Sequence, residues 1–449
     1  FQIGFQVGDV ARSLHPDGIL IDTPDAAEAL ALTRKALAEH PGRPLFEAAF
    51  QRDGVLVRAD LLLPEADGYR LREVKASTRV KDEYREDCAI QAWVIGAALP
   101  LSGVELAHVD TAFVYPGDGD YHGLLKSNPL DGDVASLLPT VPQWIADARA
   151  TLAGAEPAIA IGPQCHSPYE CPFQSHCDAG QAPQPDYPLG CLPRLSGQRL
   201  QGLMDQGITD VRHIPADYPL TAKQGRVARV IRSGVAERDP AAATLLNGLA
   251  YPRHYHDFES LQVAVPPWAG TRPYQQLVVQ WSCHVETAPG QLTHQAFLAE
   301  GGDDPRRAFA EALLKTVGDA GPVFVYNRSF EVGRLRELAR GYPDLAPALA
   351  ALIARVNDLK PLTERNYCHP AMKGSWSLKA VLPTIAPELD YGALAIGDGD
   401  AASGAWREIY HPDTPADRRA ELRAALAEYC QRDTLALVCL AAFLAEAEP

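Results

Sequence analysis

The sequence predicts a mixed α/β protein of two large domains joined by a helical connector, and three observations carry that prediction. Period-two alternation runs through Gly54-Val-Leu-Val-Arg-Ala-Asp-Leu-Leu-Leu63 and again from Tyr69 to Val74, the pattern of paired strands. Periodicity breaks in a Pro-, Gln- and Cys-rich stretch from Pro163 to Pro188. From Tyr251 the pattern reads strand, strand, strand, helix, strand and then mostly helix. The 449 residues, 47% of them hydrophobic, supply apolar material for two or three cores.

In order, the two alternating runs form a hairpin turning near Pro64 to Gly68. A helix follows from Asp82 to about Ala98, a strand over Val104 to Tyr115, a Gly/Asp turn at Pro116 to Asp120, and a helix near Val141 to Leu152. The connector holds helical patterns at Gly197 to Gln206 and Thr221 to Ser233, around Gly207-Ile-Thr-Asp-Val211. The last part reads as strands over Tyr251–Glu259, Leu277–Glu286 and Leu292–Ala299, a helix over Pro305–Val317 and a strand over Pro322–Tyr326. The predicted domains are 1–180, 181–248 and 249–449, without internal repeats or long low-complexity segments.

No run of about 18 apolar residues occurs, so no membrane partner is expected. The chain opens at Phe1 without a basic-then-apolar pattern, which suggests a trimmed N-terminus and a cytoplasmic protein. A net charge of -16 argues against a protein that coats nucleic acid, yet Cys191 to Val235 carries seven Lys/Arg against three Asp. Nine cysteines are too sparse for a secreted disulfide scaffold, and three of them cluster.

Asp60 ends one predicted strand, and Glu73-Val-Lys75 points an acid and a base to one face of the next. On its own such a pair reads as a solvated ion pair. Converging with Asp60, it supplies what phosphodiester cleavage needs: carboxylates for Mg²⁺ or Mn²⁺ and a lysine for the water or the transition state. Phe46-Glu47, Val57-Arg-Ala-Asp60, Arg72-Glu-Val-Lys75 and Ile90-Gln-Ala-Trp93 together resemble the RecB-like branch of the PD-(D/E)XK superfamily over about residues 1–180. The resemblance implies a restriction-endonuclease-like domain. In it the acid of the upstream helix falls on Glu47, the metal-binding Asp on Asp60, the Glu-x-Lys on Glu73 and Lys75, and the downstream Gln on Gln91. Tyr84, two helical turns before Gln91, is a packing tyrosine or a member of that face.

Cys165-x5-Cys171-x5-Cys177 lies in a Pro-interrupted loop, where three thiols suit a soft metal. Just after a RecB-like core it resembles the iron-sulfur nucleases, which implies a structural [4Fe-4S] cluster. That family's remaining cysteine precedes the core, and none stands here before Cys88, leaving a residue before Phe1 or Cys191 as the fourth ligand. His166 and His176 keep Zn²⁺ as an alternative. Cys88, Cys283, Cys368, Cys430 and Cys439 sit among apolar residues and read as core.

His256-Asp-Phe-Glu-Ser260 ends a strand, so Asp257 and Glu259 share a face; Val325-Tyr-Asn-Arg-Ser-Phe-Glu331 adds a third acid at a strand-to-helix passage. Tyr429-Cys-Gln-Arg-Asp433 puts a tyrosine and an acid one turn apart on a helix. Each pattern alone is weak, and their order and element types give them weight. Together they resemble the DnaQ-like 3'-5' exonucleases of the DEDD superfamily, tyrosine subclass, over about residues 250–449, on a ribonuclease H-like fold. The resemblance implies metal-binding acids at Asp257, Glu259 and Asp433, a third motif acid at Glu331, where the family usually has Asp, and a water-positioning Tyr429. Asn327 and Asp358 are further polar candidates, Asn327 also a helix cap. With Thr271-Arg-Pro-Tyr-Gln-Gln276 and Gly374-Ser-Trp-Ser-Leu-Lys379, the whole resembles a bacterial family that fuses the two nuclease types.

The connector from Leu192 to Val211 resembles small helical hairpins that grip phosphates, and reads equally as a two-helix spacer. The expectation is a metal-dependent nuclease with two candidate sites, acting on DNA before RNA, in repair, recombination or defence. The alternatives are one live site with a binding platform, or a nucleic-acid scaffold.

Overall fold

Residues 2–179, 184–389, 391–392, 394–411 and 413–446 are described by a computed structural model; Phe1 and part of the Pro163–Pro188 break, at 180–183, lie outside the described residues. The protein is mixed α/β and divides into two compact units: Phe1–Gln181 with Val263–Gln275, and Ala182–Gln262 with Gln276–Pro449.

The first unit runs α1 (Gln2–Ser13), β1 (Ile19–Leu20), α2 (Ala26–Glu39), β2 (Leu45–Arg52), β3 (Val55–Glu65), β4 (Gly68–Lys75), α3 (Asp82–Ile95), β5 (Leu101–Val109), β6 (Leu125–Pro129), α4 (Asp131–Leu137), α5 (Val141–Ala153) and α6 (Gln174–Ala179). Its sheet has the order β1-β2-β3-β4-β5-β6. The β3–β4 hairpin pairs Leu61 with Arg72 and Glu65 with Gly68, and β4 then pairs β5 in parallel. That parallel step needs a crossover, and α3 supplies it. Its buried face of Cys88, Ala89, Gln91, Ala92, Val94 and Ile95 covers a core with Leu45, Phe50, Leu62, Leu71 and Leu106. β2 escapes the sequence pattern because it is buried on both faces, which erases alternation. The strand expected to reach Tyr115 stops at Val109; Tyr115 instead stacks on Tyr121, ring centroids 4.6 Å apart.

Residues 263–275, expected inside a continuous 249–449 domain, pack with this first unit. Tyr115 N donates to Thr271 O at 3.0 Å, Gly270 N to Tyr115 O at 2.8 Å, and Tyr274 Oη to Ala76 O.

The second unit runs α7 (Gly197–Met204), α8 (Ala222–Ser233), β7 (Glu237–Arg238), α9 (Ala241–Asn247), β8 (Arg253–Leu261), β9 (Leu277–Ala288), β10 (Gln291–Leu298), α10 (Arg306–Val317), β11 (Val323–Val325), α11 (Arg328–Gly341), α12 (Ala346–Ala354), β12 (Val356–Asp358), α13 (Leu359–Asn366), β13 (Tyr367–Cys368), α14 (Leu378–Val381), α15 (Gly399–Tyr410) and α16 (Ala416–Ala445). The main sheet is β10-β9-β8-β11-β12, with β8, β11 and β12 parallel and β9 and β10 antiparallel. α16 carries buried Leu426, Cys430, Leu437, Leu440 and Leu444.

The connector forms no unit of its own. Leu192, Leu203, Val227 and Ile231 join Tyr255, Phe324 and Leu437 in one apolar cluster, so its periodicity is that of core helices. α8 starts at a capping box: Thr221 Oγ1 accepts from Gln224 N at 3.3 Å and Gln224 Oε1 accepts from Thr221 N at 3.1 Å. Gly374, at φ +73°, lies so near Cys191 O that a Cβ there would sit 1.8 Å from it. Among the described residues, no helix is long and apolar enough to cross a membrane.

Candidate functional site

In the second unit, period-two geometry on β8 sends Asp257 and Glu259 to one side, and the four-residue spacing on α16 stacks Tyr429 over Asp433. The two elements bring carboxylate oxygens of Asp257, Glu259 and Asp433 within 4.8 Å of one another, the one such acid, His or Cys group of three among the described residues. All three acids are half-buried. Burial, then the neighbouring Asp433, drives Asp257 well above the ordinary carboxylate range. The same two causes push Glu259 up to about 8, while burial pushes Asp433 up to about 6 against the pull of Tyr391 and Lys379. Acids crowded in this way share protons or a cation.

Glu331, in the first turn of α11, stays outside the close trio, yet its charge raises Asp257. It is 3% exposed, burial pushes it to about 8, and its Oε2 has no hydrogen-bond partner. An orphaned carboxylate oxygen and three crowded acids together make a donor set that can hold a cation.

Tyr391 and Lys379 complete this site. Tyr391 Oη donates to Asp433 Oδ1 at 2.5 Å and its ring meets Tyr429 edge-on at 6.3 Å. Lys379 Nζ lies 5.5 Å from the Tyr391 ring and 5.6 Å from that of Tyr429, and its charge favours ionised Glu259 and Asp433. Cys430 Sγ stands 3.9 Å from Asp257 Oδ2. Asn327 caps α11 by position but makes no side-chain cap bond; Asp358 accepts from Asn327 N at 3.2 Å and Arg328 N at 3.0 Å. Asp358 also caps its own helix α13, accepting from Lys360 N at 2.9 Å, so its carboxylate is spent on backbone at the starts of two helices.

In the first unit, Asp60 on β3 accepts from Val74 N at 2.7 Å, and burial followed by Glu73 raises its pKa well above the usual value. Glu73, 4% exposed and also raised by burial, accepts from Lys75 Nζ at 2.6 Å and Gln91 Nε2 at 2.8 Å. Asp87 closes the network, accepting from Lys75 Nζ at 2.9 Å and Gln91 Nε2 at 3.4 Å. Burial works against the Lys75 charge, but Glu73 and Asp87 outweigh it and hold the ammonium above the usual lysine range. Tyr84 lies with its ring 5.5 Å from Lys75 Nζ.

Glu47 is a correction. It lies on β2, not on an upstream helix, because Leu45 and Phe46 before it and Ala48 to Arg52 after it pair with β3. Its φ of +55° is strained for a non-glycine, and it faces Arg12 Nη1 at 3.6 Å while its charge reaches Asp60.

Cys165, Cys171 and Cys177 line one pocket of about 590 Å³ with Phe173 and His176. Cys171 N donates to Cys165 O at 2.8 Å, folding the loop back on itself. His166 pairs with Glu170 and His176 with Glu156, both at 2.7 Å, which occupies one nitrogen of each. Cys191 belongs to the second unit's apolar cluster, where burial raises its thiol. Cys88, Cys283, Cys368 and Cys430 are buried and Cys439 half-buried.

The connector's cations hold the second unit together. Arg212 clasps Asp210 at 2.8 Å and pulls its carboxyl down to about 2, Arg232 donates to Ile214 O at 2.6 Å, Arg199 to Pro219 O, and Lys223 meets Glu364 at 2.9 Å.

Asp87 was readable four residues before Gln91 on the same helix face. Tyr391 carried no local signal, and Lys379 stood only at the end of the Gly374-Ser-Trp-Ser-Leu-Lys379 stretch.

A family model described as a domain of unknown function, DUF2779, matches residues 254–377. The chain is 26% identical over 210 residues to the "Uncharacterized protein MG366 homolog" of Mycoplasma pneumoniae, covering 42% of this chain and 32% of that protein. It is 25% identical over 227 residues to the "Uncharacterized protein UU173" of Ureaplasma parvum, covering 45% and 33%. The matched part thus spans about a third of each relative. No solved structure matches.

Proposed function

We propose that this chain is a metal-dependent nuclease that hydrolyses phosphodiester bonds, in DNA before RNA, with its principal active centre at Asp257, Glu259, Asp433 and Tyr429. One observation carries the reading: three carboxylates within 4.8 Å, with the unpartnered Glu331 Oε2 nearby. The sheet order β10-β9-β8-β11-β12 supports a ribonuclease H-like, DnaQ-like fold for this unit, and the β2-β3-β4-α3-β5 succession supports a RecB-like, PD-(D/E)XK fold for the first.

Asp257, Glu259 and Asp433 would hold Mg²⁺ or Mn²⁺, with Glu331 beside them. When bound, the cation supplies Lewis-acid stabilisation of charge building on the phosphoryl oxygens. Tyr429 offers its hydroxyl to orient the attacking water, and Tyr391 fixes the orientation of Asp433. Lys379 adds positive charge where the transition state gains negative charge.

In the first unit, Asp60 and Glu73 would hold a cation, with Lys75 to steady the attacked phosphate, Gln91 to fix Glu73, and Glu47 as an outlying acid. A single live centre is the second reading, and a specific observation favours it: Glu73 is already clasped by Lys75 and Gln91, and no three acids converge there among the described residues. The first unit then serves as a nucleic-acid platform. Three thiols lining one pocket suit an iron-sulfur cluster as a structural staple, with Zn²⁺ the alternative. Repair, recombination or defence against foreign DNA is the proposed setting.

The test is Mn²⁺-dependent release of nucleotides from end-labelled DNA by the parent chain and by Asp257→Asn. Release that vanishes in the variant supports the centre; equal release from both removes it.

A further inference from the structure

β7 and β13 pair as a short antiparallel ribbon, Glu237 opposite Cys368 and Arg238 opposite Tyr367, beside the end of α8 and the last turns of α16. Between them lies a pocket of about 920 Å³. Its walls carry Arg226, Arg229, Arg238 and Arg365 against Glu237 and Asp239, an excess of two positive charges in a chain of net charge -16.

The cations are anchored and only partly neutralised. Arg226 Nε and Arg229 Nε share the single Glu237 carboxylate, at 3.0 and 2.7 Å. Arg226 Nη1 is held by Glu364 O at 2.7 Å and Arg365 O at 3.0 Å, so its position is fixed by backbone. Arg238 stacks over Phe443, 4.1 Å from the ring centroid, and meets Glu446 at 3.3 Å. The exposed Arg365 donates from Nε to Pro361 O at 3.2 Å and has no carboxylate partner among the described residues. Asp239 Oδ1 is turned to Ala241 N at 2.9 Å. Guanidinium groups held in this way leave N–H edges for phosphate oxygens, to which their planar fork is matched.

We propose that this pocket binds the phosphodiester backbone of a nucleic-acid strand, holding the substrate of the Asp257 centre away from the cleaved bond; the proposal rests on the nuclease reading. The volume exceeds what one phosphate fills. Phe443 follows Asp433 by ten residues on α16, about 15 Å along the axis, or about four nucleotides of a stacked strand. Such a grip carries no sequence information and sets register and processivity.

The experiment measures fluorescence anisotropy of labelled single-stranded DNA with the Asp257→Asn chain, in chelator, across a salt series. Against it stand Arg229→Ala with Arg365→Ala, the same pair changed to Lys, and Glu237→Gln. The Ala pair is expected to weaken binding about tenfold and to shrink the salt slope by about 1.4, while the Lys pair keeps most of both and Glu237→Gln tightens binding. Unchanged affinity and slope in the Ala pair overturn the pocket while leaving the nuclease reading intact. Weakened binding in a chain whose parent never cleaves DNA keeps the pocket and removes the nuclease reading. A parent chain that binds no strand at all removes the pocket.

Discussion

Tyr391 donates its phenol to Asp433 at 2.5 Å, binding a loop residue to an acid on the last helix that itself approaches Asp257 and Glu259. Tyr391→Phe removes only that hydroxyl. A ligand-orienting bond of this kind is expected to cost about 10–100-fold in cation affinity or rate. Mn²⁺ titration by calorimetry, paired with cleavage rates and circular dichroism, checks it; an unchanged Mn²⁺ affinity and rate would show the bond to be structural.

Without a cation, the acids of the second unit hold protons that the unfolded chain releases. Glu259 and Glu331 near 8 and Asp433 near 6 all lie above their unfolded values. Their contribution to stability is full below the unfolded pKa and is lost as pH rises through these values. In chelator the unfolding temperature therefore falls between about pH 5 and 8.5, and Mn²⁺ restores more at the alkaline end, where it no longer competes with protons. Thermal unfolding across pH with and without Mn²⁺ reads both trends.

Glu331→Gln separates stability from function. The change removes a carboxyl that ionises near pH 8 and whose Oε2 has no partner, so above pH 8 the metal-free protein is expected to melt higher, while cleavage in Mn²⁺ slows. Differential scanning fluorimetry in chelator and a cleavage rate in Mn²⁺ suffice; lower melting would mean that the carboxylate is stabilised by contacts of its own.

Lys75→Ala leaves Glu73 and Asp87 facing each other without their shared cation. A loss of about 2 kcal/mol is expected in the first unit, with loss of any product assigned to that site. Denaturant unfolding of Lys75→Ala, Lys75→Arg and the Lys75→Ala/Glu73→Gln pair checks the electrostatic origin, because removing both charges recovers part of the loss.

Anaerobically purified chain is expected to carry iron and acid-labile sulfide, both lost in Cys171→Ala. Zinc without sulfide would instead select the alternative metal.

The architecture was legible wherever a face repeats in sequence. The β3–β4 hairpin, α3, α8, β8–β10 and α10 follow their periods closely, as does the pairing of Asp257 with Glu259 and of Tyr429 with Asp433. What escaped lay where burial hides the period or where the chain supplies partners from afar. β2 is covered on both sides, which concealed the strand beneath Glu47. Residues 263–275 leave their sequence neighbours to pack on the first unit, and Tyr391 reaches Asp433 across 42 positions. The basic connector looked like a phosphate grip from its composition, but Arg199, Arg212, Lys223 and Arg232 spend their donors on internal bonds, and excess positive charge gathers where Arg238 and Arg365 join Arg226 and Arg229.

The most direct test is cleavage of end-labelled single- and double-stranded DNA and RNA in Mn²⁺ by four chains: the parent, Lys75→Ala, Asp257→Ala and the double variant. Loss of exonucleolytic products in Asp257→Ala and of all products in the double variant is the predicted result. A parent that leaves every substrate intact, or a double variant that still cuts, would contradict the assignment of these carboxylates as nuclease centres.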